Sequence, residues 1–125
     1  MKLTLTLLLQ EYAITRLASD AQVPPWVGTD GLTSITRADD ELSIVCRADH
    51  VPTGIPTEKG WAALRVDLLA QLDEPGVVMS AITPISSAGL GVFVISTHLR
   101  DYILIRHSEM NHARQALTQA GHKIL

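Results

Sequence analysis

Cysteine is almost absent from the sequence, with Cys46 as the single thiol. One cysteine excludes a disulfide within the chain and fits a reducing compartment. Lysine and arginine form no cluster, and the formal net charge is −3, which argues against nucleic acid as the main partner. The apolar run at residues 3–9 alternates with threonine and is too short to cross a bilayer. We therefore expect a cytoplasmic protein that contacts neither nucleic acid nor membranes.

The sequence also lacks a catalytic constellation. It has no Gly-x-Ser-x-Gly elbow, no pair of carboxylates poised for acid–base work and no convincing Cys–His pair. Gly89 and Gly91 do not form a dinucleotide fingerprint, because a third glycine is missing and a strand follows them. His107 and His112 do not share a helical face, which argues against a metal site. We expect no enzyme activity, no cofactor and no metal.

The first half of the chain is predicted to be rich in β-strands. The predicted strands are residues 3–9, 12–17, 32–37 and 42–47, the last two joined as a hairpin with a polar tip. Proline and glycine mark residues 20–31 as a loop with one helical turn near Trp26, and residues 51–60 as a linker. Cys46 alternates inward on its strand and is predicted to be a small buried hydrophobe.

The second half alternates strands and helices in the order β-α-β-β-α-β. The predicted elements are strand 61–66, helix 76–88, strands 91–96 and 101–106, a helix capped by Ser108, and strand 122–125. Pro84 lies inside the first helix and removes a hydrogen bond to the carbonyl of Ser80, so a kink is expected. The last helix has an apolar face of Met110, Ala113, Leu117 and Ala120. This order predicts an α+β, ferredoxin-like fold, with two helices on one face of an antiparallel sheet.

A short pattern recurs after 60 residues. It aligns Ile35-Thr36 with Ile95-Ser96, residues 42–45 with residues 102–105, and Asp49 with Glu109. The recurrence predicts two related sheet units, each too small to bury its apolar face alone. We place the division between residues 1–59, which are β-rich, and residues 60–125.

The start of the predicted helix at residue 76 is a candidate anion site. Pro75 suits a first helical position, and Asp73 and Glu74 complement the positive end of the helix dipole. The unpaired N–H groups of that helix start face the strand end that carries Ser96 and Thr97. Such a pocket can hold a small carboxylate such as an amino acid.

The same stretch carries a family resemblance. Asp-x-Pro-Gly-Val before a helix, followed by Gly-x-x-Val-x-x-Ile-Ser-Thr, resembles an ACT domain, a ferredoxin-like module that binds amino acids and regulates enzymes and sensors. The segments Tyr-Ala-Ile-Thr-Arg-Leu, Pro-Pro-Trp and Ala-Gly-His-Lys-Ile extend the likeness over nearly the whole chain. Together they resemble small bacterial proteins with two tandem ACT-like units, related in domain type to the CASTOR arginine sensors.

The resemblance implies a ligand site, a non-catalytic role and a homodimer. Together with Asp73, which precedes the helix, the implied site gives nine candidate ligand-binding residues. They are Asp73, Gly76, Val77, Met79, Ile95, Ser96, Thr97, His98 and Asp101. The carboxylate of Asp101 is a suitable partner for an ammonium or guanidinium group, so a basic amino acid is one expected ligand. His98 stands where an aromatic residue is common and is expected to alter the side-chain preference.

Each candidate also has a structural alternative. Asp73 serves the helix dipole, and the hydroxyls of Ser96 and Thr97 satisfy a strand end. Asp101 pairs with Arg100 or Arg106, or fixes the turn. Two functions therefore remain open: a sensor that responds to an amino acid, and an ACT-like scaffold for dimerisation whose pocket is unused. A detached regulatory subunit of a biosynthetic enzyme is a third.

Overall fold

Eight β-strands and two α-helices follow one another along the chain. The computed structural model describes all of residues 1–125. The strands are β1 (Thr4–Leu7), β2 (Tyr12–Leu17), β3 (Ser34–Ala38), β4 (Glu41–Arg47), β5 (Glu58–Val66), β6 (Phe93–Ser96), β7 (Asp101–Arg106) and β8 (Lys123–Ile124). The helices are α1 (Val77–Ser87) and α2 (Met110–Gln119). Neither helix combines the length and the apolar character that a membrane span requires.

The chain divides into two units that differ from the predicted ones. The terminal unit contains Met1–Leu9 and Ala62–Leu125, and the middle unit contains Gln10–Trp61. The first nine residues, which the predicted division groups with residues 10–59, lie in the same unit as residues 62–125. The reason is long-range pairing, because Leu5 lies opposite Val66 of β5 on one side and opposite Ile124 of β8 on the other.

The terminal unit has the predicted ferredoxin-like order of β5, α1, β6, β7, α2 and β8. Its strands lie in the spatial order β8-β1-β5-β7-β6. The N-terminal strand β1 is inserted between β5 and β8, antiparallel to the first and parallel to the second. The ferredoxin-like α+β architecture is thereby confirmed, with one strand added inside the sheet.

Both helices pack on one face of this sheet. Alternate positions of β5 and β7, such as Leu64 and Ile103, share that face, and they belong to one apolar core with both helices. The buried members of the core are Leu3, Leu5, Ala62, Leu64, Val66, Val77, Ala81, Ile85, Ile103, Ile105, Met110, Ala113 and Leu117. The predicted apolar face of α2 is thus confirmed at three of its four positions.

Three local predictions in the terminal unit are wrong. Leu9 is 95% exposed, because β1 ends at Leu7 and the alternation stops there. Ser108 does not cap α2, because His107–Glu109 form a 3-10 turn and no side chain bonds to the first amides of α2. Ala120 is exposed, since α2 ends at Gln119.

The middle unit is built from strands in the order β3-β4-β2-β5 with two 3-10 turns, Pro25–Val27 and Ala48–His50. The first turn contains Trp26, as predicted. The predicted linker is wrong at its end, since β5 already begins at Glu58. The core of this unit consists of Ala13, Val27, Leu42, Ile44, Cys46, Ala48 and Val51. Burial, reinforced by the nearby charge of Asp49, raises the pKa of the Cys46 thiol.

The 60-residue recurrence corresponds to a repeated local structure. In each unit an antiparallel hairpin leads into a 3-10 turn, entered at Arg47 with φ −55° and ψ 134° and at Arg106 with φ −51° and ψ 130°. The hairpin tips differ. Ala38 pairs with Glu41 around a two-residue tip, whereas Ser96 pairs with Asp101 around a turn of four residues, 97–100.

Helix α1 continues through Pro84 because another side chain supplies the missing donor. The carbonyl of Ser80, which lacks the N–H of residue 84 as a partner, accepts a hydrogen bond from Nε2 of His122 at 2.8 Å. Nδ1 of the same imidazole accepts a hydrogen bond from the N–H of Leu3 at 2.9 Å. These partners require the neutral tautomer with its proton on Nε2. The buried ring of His122 thereby links α1 to the chain at the start of β1.

Replacement of His122 by leucine is expected to lower the free energy of unfolding by about 2–4 kcal/mol, because two buried backbone groups lose their partners. In a Pro84→Ala background the N–H of residue 84 can reach the Ser80 carbonyl, so the loss should be smaller by about 1 kcal/mol. Urea unfolding of the four proteins measures this difference. His112→Leu, on the exposed side of α2, is the control, and equal losses in both backgrounds would contradict the bridging role.

Candidate functional site

A cavity of about 210 Å³ lies at the start of α1. Three segments enclose it: the loop before α1, the first turn of α1, and the turn between β6 and β7. The lining residues are Leu68, Ala70, Gln71, Leu72, Glu74, Gly76, Val77, Val78, Met79, Ser96, Thr97, His98, Leu99, Arg100 and Asp101. Pockets for drug-sized ligands measure about 300–1,000 Å³. The cavity therefore suits a smaller molecule, of the size of one amino acid.

The structure brings together seven of the nine candidate residues at this cavity. These are Gly76, Val77, Met79, Ser96, Thr97, His98 and Asp101. Asp73 and Ile95 do not line it. Ile95 is only 8% exposed, because neighbouring residues of a strand point to opposite faces and Ser96 takes the other face. Asp73 lies exposed in the preceding loop.

The first turn of α1 offers backbone donors to the cavity. Gly76 occupies the N-cap position in the left-handed region, with φ 88°, and no side chain caps the helix. The first intrahelical bond runs from the N–H of Ser80 to the carbonyl of Gly76 at 2.9 Å. The N–H groups of residues 77–79 therefore have no partner within the helix and carry the positive end of its dipole.

The loop before α1 is closed by its own hydrogen bonds. The N–H of Glu74 donates to the carbonyl of Gln71 at 3.1 Å, and the N–H of Gln71 donates to Oε1 of Glu74 at 3.4 Å. Glu74 thus fixes the loop with one carboxylate oxygen, which leaves the other oxygen at the cavity wall.

Thr97 forms hydrogen bonds at the end of β6, which is the structural alternative to ligand binding that we considered for it. Its N–H and its hydroxyl both donate to the carbonyl of Arg100, at 3.0 and 2.9 Å. The hydroxyl also accepts from the N–H of Arg100 at 3.3 Å. These three bonds close the four-residue turn and hold the backbone of His98, Leu99 and Arg100 in place at the cavity.

Ser96 and Asp101 are partners across the end of the β6–β7 hairpin. The hydroxyl of Ser96 donates to Oδ1 of Asp101 at 2.6 Å. The second carboxylate oxygen of Asp101 has no protein partner. Asp101 forms no ion pair with its neighbour Arg100, so one of the alternatives considered for it does not hold.

Arg100 is a cavity residue that sequence reasoning considered only as a partner for Asp101. Its Nε is buried and has no acceptor. In the nearby carboxylate of Asp67, Oδ1 accepts from Nε of Arg65 at 2.6 Å and Oδ2 accepts from the hydroxyl of Thr6 at 2.5 Å. The signal available in the sequence was the position of Arg100 in the polar turn directly before Asp101.

Burial alone would raise the pKa of Asp67. The hydrogen bonds from Thr6 and Arg65, with the charges of Arg65 and Arg100, outweigh burial and hold the pKa of this carboxyl below its ordinary value. Asp67 is therefore a stable anion beside the cavity.

The mouth of the cavity is apolar and exposed. Leu72, Leu99 and Met79 line it while remaining 74%, 55% and 60% exposed, and the neighbouring Leu69 is 66% exposed. Large exposed apolar side chains that cluster in this way mark a surface that binds a ligand or another protein. We call these four residues the apolar rim.

The charged residues of the middle unit have a structural arrangement instead. Arg47 binds Asp49 through Nε and Nη2, at 3.0 and 2.7 Å, and binds Asp30 through Nη1 at 2.7 Å. The hydrogen bond from Arg47 is the main reason that the pKa of Asp49 is lowered. His50 contacts Asp30 at 3.2 Å and the carbonyl of Val27 at 3.0 Å. This cluster links the loop around residue 30 to the 3-10 turn Ala48–His50.

Two family models match the sequence. A model of the ACT domain matches residues 57–119, and a model described as an N-terminal domain matches residues 10–54. The second match falls within the middle unit. No curated protein matches the chain in sequence.

Several solved structures share the fold. A crystal structure of an Agobacterium tumefaciens protein is 38% identical, with a TM-score of 0.94, over 100% of this chain and 93% of that one. A Vibrio cholerae protein of unknown function, described as a possible transport protein, is 17% identical with a TM-score of 0.72, over 95% and 90% of the two chains. The ligand-free regulatory subunit of aspartate kinase from Thermus thermophilus is 14% identical with a TM-score of 0.64, over 93% and 95%.

The lowered pKa of Asp67 predicts a pH-dependent contribution to stability. The contribution is present above the ordinary carboxyl pKa and is lost as the pH falls through the lowered value in the folded state. Asp67→Asn should therefore cost about 1–3 kcal/mol at neutral pH, and the cost should shrink in strong acid. Urea unfolding of both proteins across the acid range measures it. A difference independent of pH would show that the charge of Asp67 is not what stabilises the fold.

Proposed function

Because the chain belongs to the ACT domain family, we propose that it is a non-catalytic regulatory protein that binds an amino acid in the cavity at the start of α1. The main support for the proposal is the cavity itself, which is lined by three separate segments and by seven of the candidate residues. Its size suits one amino acid.

The polar groups of the cavity match the two ends of an amino acid. Free N–H groups at residues 77–79 suit a carboxylate, because the helix dipole favours negative charge there. The free oxygen of Asp101 suits an ammonium group, which forms a charge-assisted hydrogen bond with a carboxylate. The same oxygen can instead receive the side chain of a basic amino acid, so lysine and arginine belong among the ligands to test.

Regulation in this proposal is a shift between two arrangements of the protein. A ligand changes such an equilibrium only by binding one arrangement better than the other. The loop before α1 and the β6–β7 turn both touch the cavity, so a bound ligand would favour the arrangement in which both contact it. We include a cytoplasmic homodimer in the proposal, supported by the single buried thiol and by the apolar rim.

A second candidate function is an interaction scaffold whose cavity takes no ligand. The apolar rim favours it, since three large exposed apolar side chains line the cavity and a fourth, Leu69, is exposed in the adjoining loop. In that case another protein surface, and not a small molecule, covers Leu72 and Leu99.

A thermal-shift panel of the twenty amino acids distinguishes the two candidates. A ligand at a hundred times its dissociation constant stabilises the folded protein by about 2.7 kcal/mol. Gly76→Val should abolish the shift, because a β-branched residue is strained at φ 88° and adds a side chain to the cavity. Gly89→Val is the matched control, with φ 83° at the other end of α1 and no atom within 4 Å of its Cβ position.

Both glycine variants should lose about 1–2 kcal/mol of stability from backbone strain, and Gly89→Val alone should keep the ligand-induced shift. If no amino acid moves the melting temperature of the wild-type protein at millimolar concentration, the scaffold function replaces the sensor function.

The role of Asp101 is tested by Asp101→Asn, which keeps the shape of the side chain and removes its charge. We expect roughly 10-fold weaker binding of lysine or arginine. A smaller effect on amino acids with apolar side chains would show that Asp101 binds the basic side chain, and an equal effect would show that it binds the α-ammonium group. Isothermal titration calorimetry gives the dissociation constants. Asp73→Asn is the matched control, since Asp73 precedes the same helix but does not line the cavity. Unchanged binding in Asp101→Asn would leave Asp101 with only its hydrogen bond to Ser96.

A further inference from the structure

The side chain of Arg100 forms no hydrogen bond or ion pair within the protein, although its charge helps to lower the pKa of the Asp67 carboxyl. Its Nε is inaccessible to solvent and lacks an acceptor, and no carboxylate lies within ion-pair distance of the guanidinium. Buried donors without acceptors are rare in folded proteins, because they lose their hydrogen bonds to water and gain none in return. An arginine in this state at a cavity wall calls for an acceptor that comes from outside the chain.

The acidic residues around the cavity form no direct bond with Arg100. Asp67 accepts its hydrogen bonds from Arg65 and Thr6 and interacts with Arg100 only through its charge. Glu74 and Asp101 each use one oxygen, for Gln71 and Ser96 respectively. The cavity wall therefore presents one guanidinium without a direct acceptor and two carboxylates that each have one oxygen in a hydrogen bond.

The backbone of Arg100 is held in a fixed position. Three hydrogen bonds with Thr97 close the turn that ends at Arg100. A guanidinium that begins from a fixed backbone loses less side-chain entropy when it binds, and its planar fork matches the two oxygens of a carboxylate.

From this geometry we propose that Arg100 binds the carboxylate of the ligand, together with the free N–H groups of residues 77–79. The inference rests on the proposed function and extends it, because it assigns the ligand class as molecules with a free carboxylate. The ammonium group of an α-amino acid then lies toward Asp101 or Glu74, whose free oxygens complete the charge balance.

Ligands without a carboxylate are expected to bind poorly for a specific reason. An amino acid amide keeps the ammonium group and the side chain but cannot accept two hydrogen bonds as an anion. Its neutral carbonyl oxygen can accept a single, weaker hydrogen bond from Arg100, and a decarboxylated amine offers Arg100 no acceptor at all. The preference for acid over amide therefore measures the contribution of Arg100.

The test uses the amino acid that gives the largest shift in the thermal panel, with its carboxamide and its decarboxylated amine. Calorimetry is carried out on the wild-type protein, Arg100→Gln and Arg100→Lys. In the wild-type protein the acid should bind roughly 10- to 100-fold more tightly than either analogue. Arg100→Gln should lose most of that preference by weakening the acid alone, and Arg100→Lys should retain part of it through its charge.

Arg16→Gln is the matched control, because it removes the same charge from an exposed position in the middle unit. Urea unfolding checks that each variant folds. If Arg100→Gln binds the acid as tightly as the wild-type protein, the assignment of Arg100 is wrong while the proposed amino acid site stands. If the wild-type protein binds none of the twenty amino acids, the proposed function fails and the inference fails with it.

Discussion

The hydrogen bonds of His122 fix the helix on which the candidate site depends. Its imidazole satisfies the Ser80 carbonyl in α1 and the Leu3 amide at the start of β1. Pro84 makes this necessary, because a proline inside a helix leaves one carbonyl without its usual donor. The start of the same helix lines the cavity, four residues before the bridged carbonyl. A change at this buried bridge would therefore reach the cavity wall through α1.

The parts of the fold that follow from local patterns were predictable. The presence of α1 and the apolar face of α2 are properties of a few neighbouring residues. The exact start of α1 was not predicted, since the helix begins at Val77 with Gly76 as its N-cap, and Pro75 lies before the first helical position. The insertion of β1 between β5 and β8 is different, because it depends on backbone pairing between opposite ends of the chain. A run of alternating leucines predicts a strand but does not predict which other strand it pairs with. For the same reason, the hydrogen bonds of His122 with Leu3 and Ser80 could not be predicted from local patterns.

The backbone positions of the candidate site that a local motif determines were predictable. The side-chain contacts were not, because they depend on the tertiary structure. Gly76 and Ser96 belong to segments whose order along the chain brings a helix start and a strand end together. Ile95 does not line the cavity, because one residue along a strand reverses the face. Arg100 was not among the predicted site residues, because the burial of its Nε without an acceptor depends on contacts between distant parts of the chain.

The two hairpins show how a small change in a repeated structure creates a cavity wall. The β3–β4 tip has two residues, and its unit contains only 3-10 turns beside its strands. The β6–β7 turn has four, so it has room for His98 and Leu99 and for an arginine held by Thr97. The extra length projects polar groups toward the free amides of α1. Because a ligand needs both walls, the longer turn and the uncapped helix start explain why the terminal unit offers the candidate site.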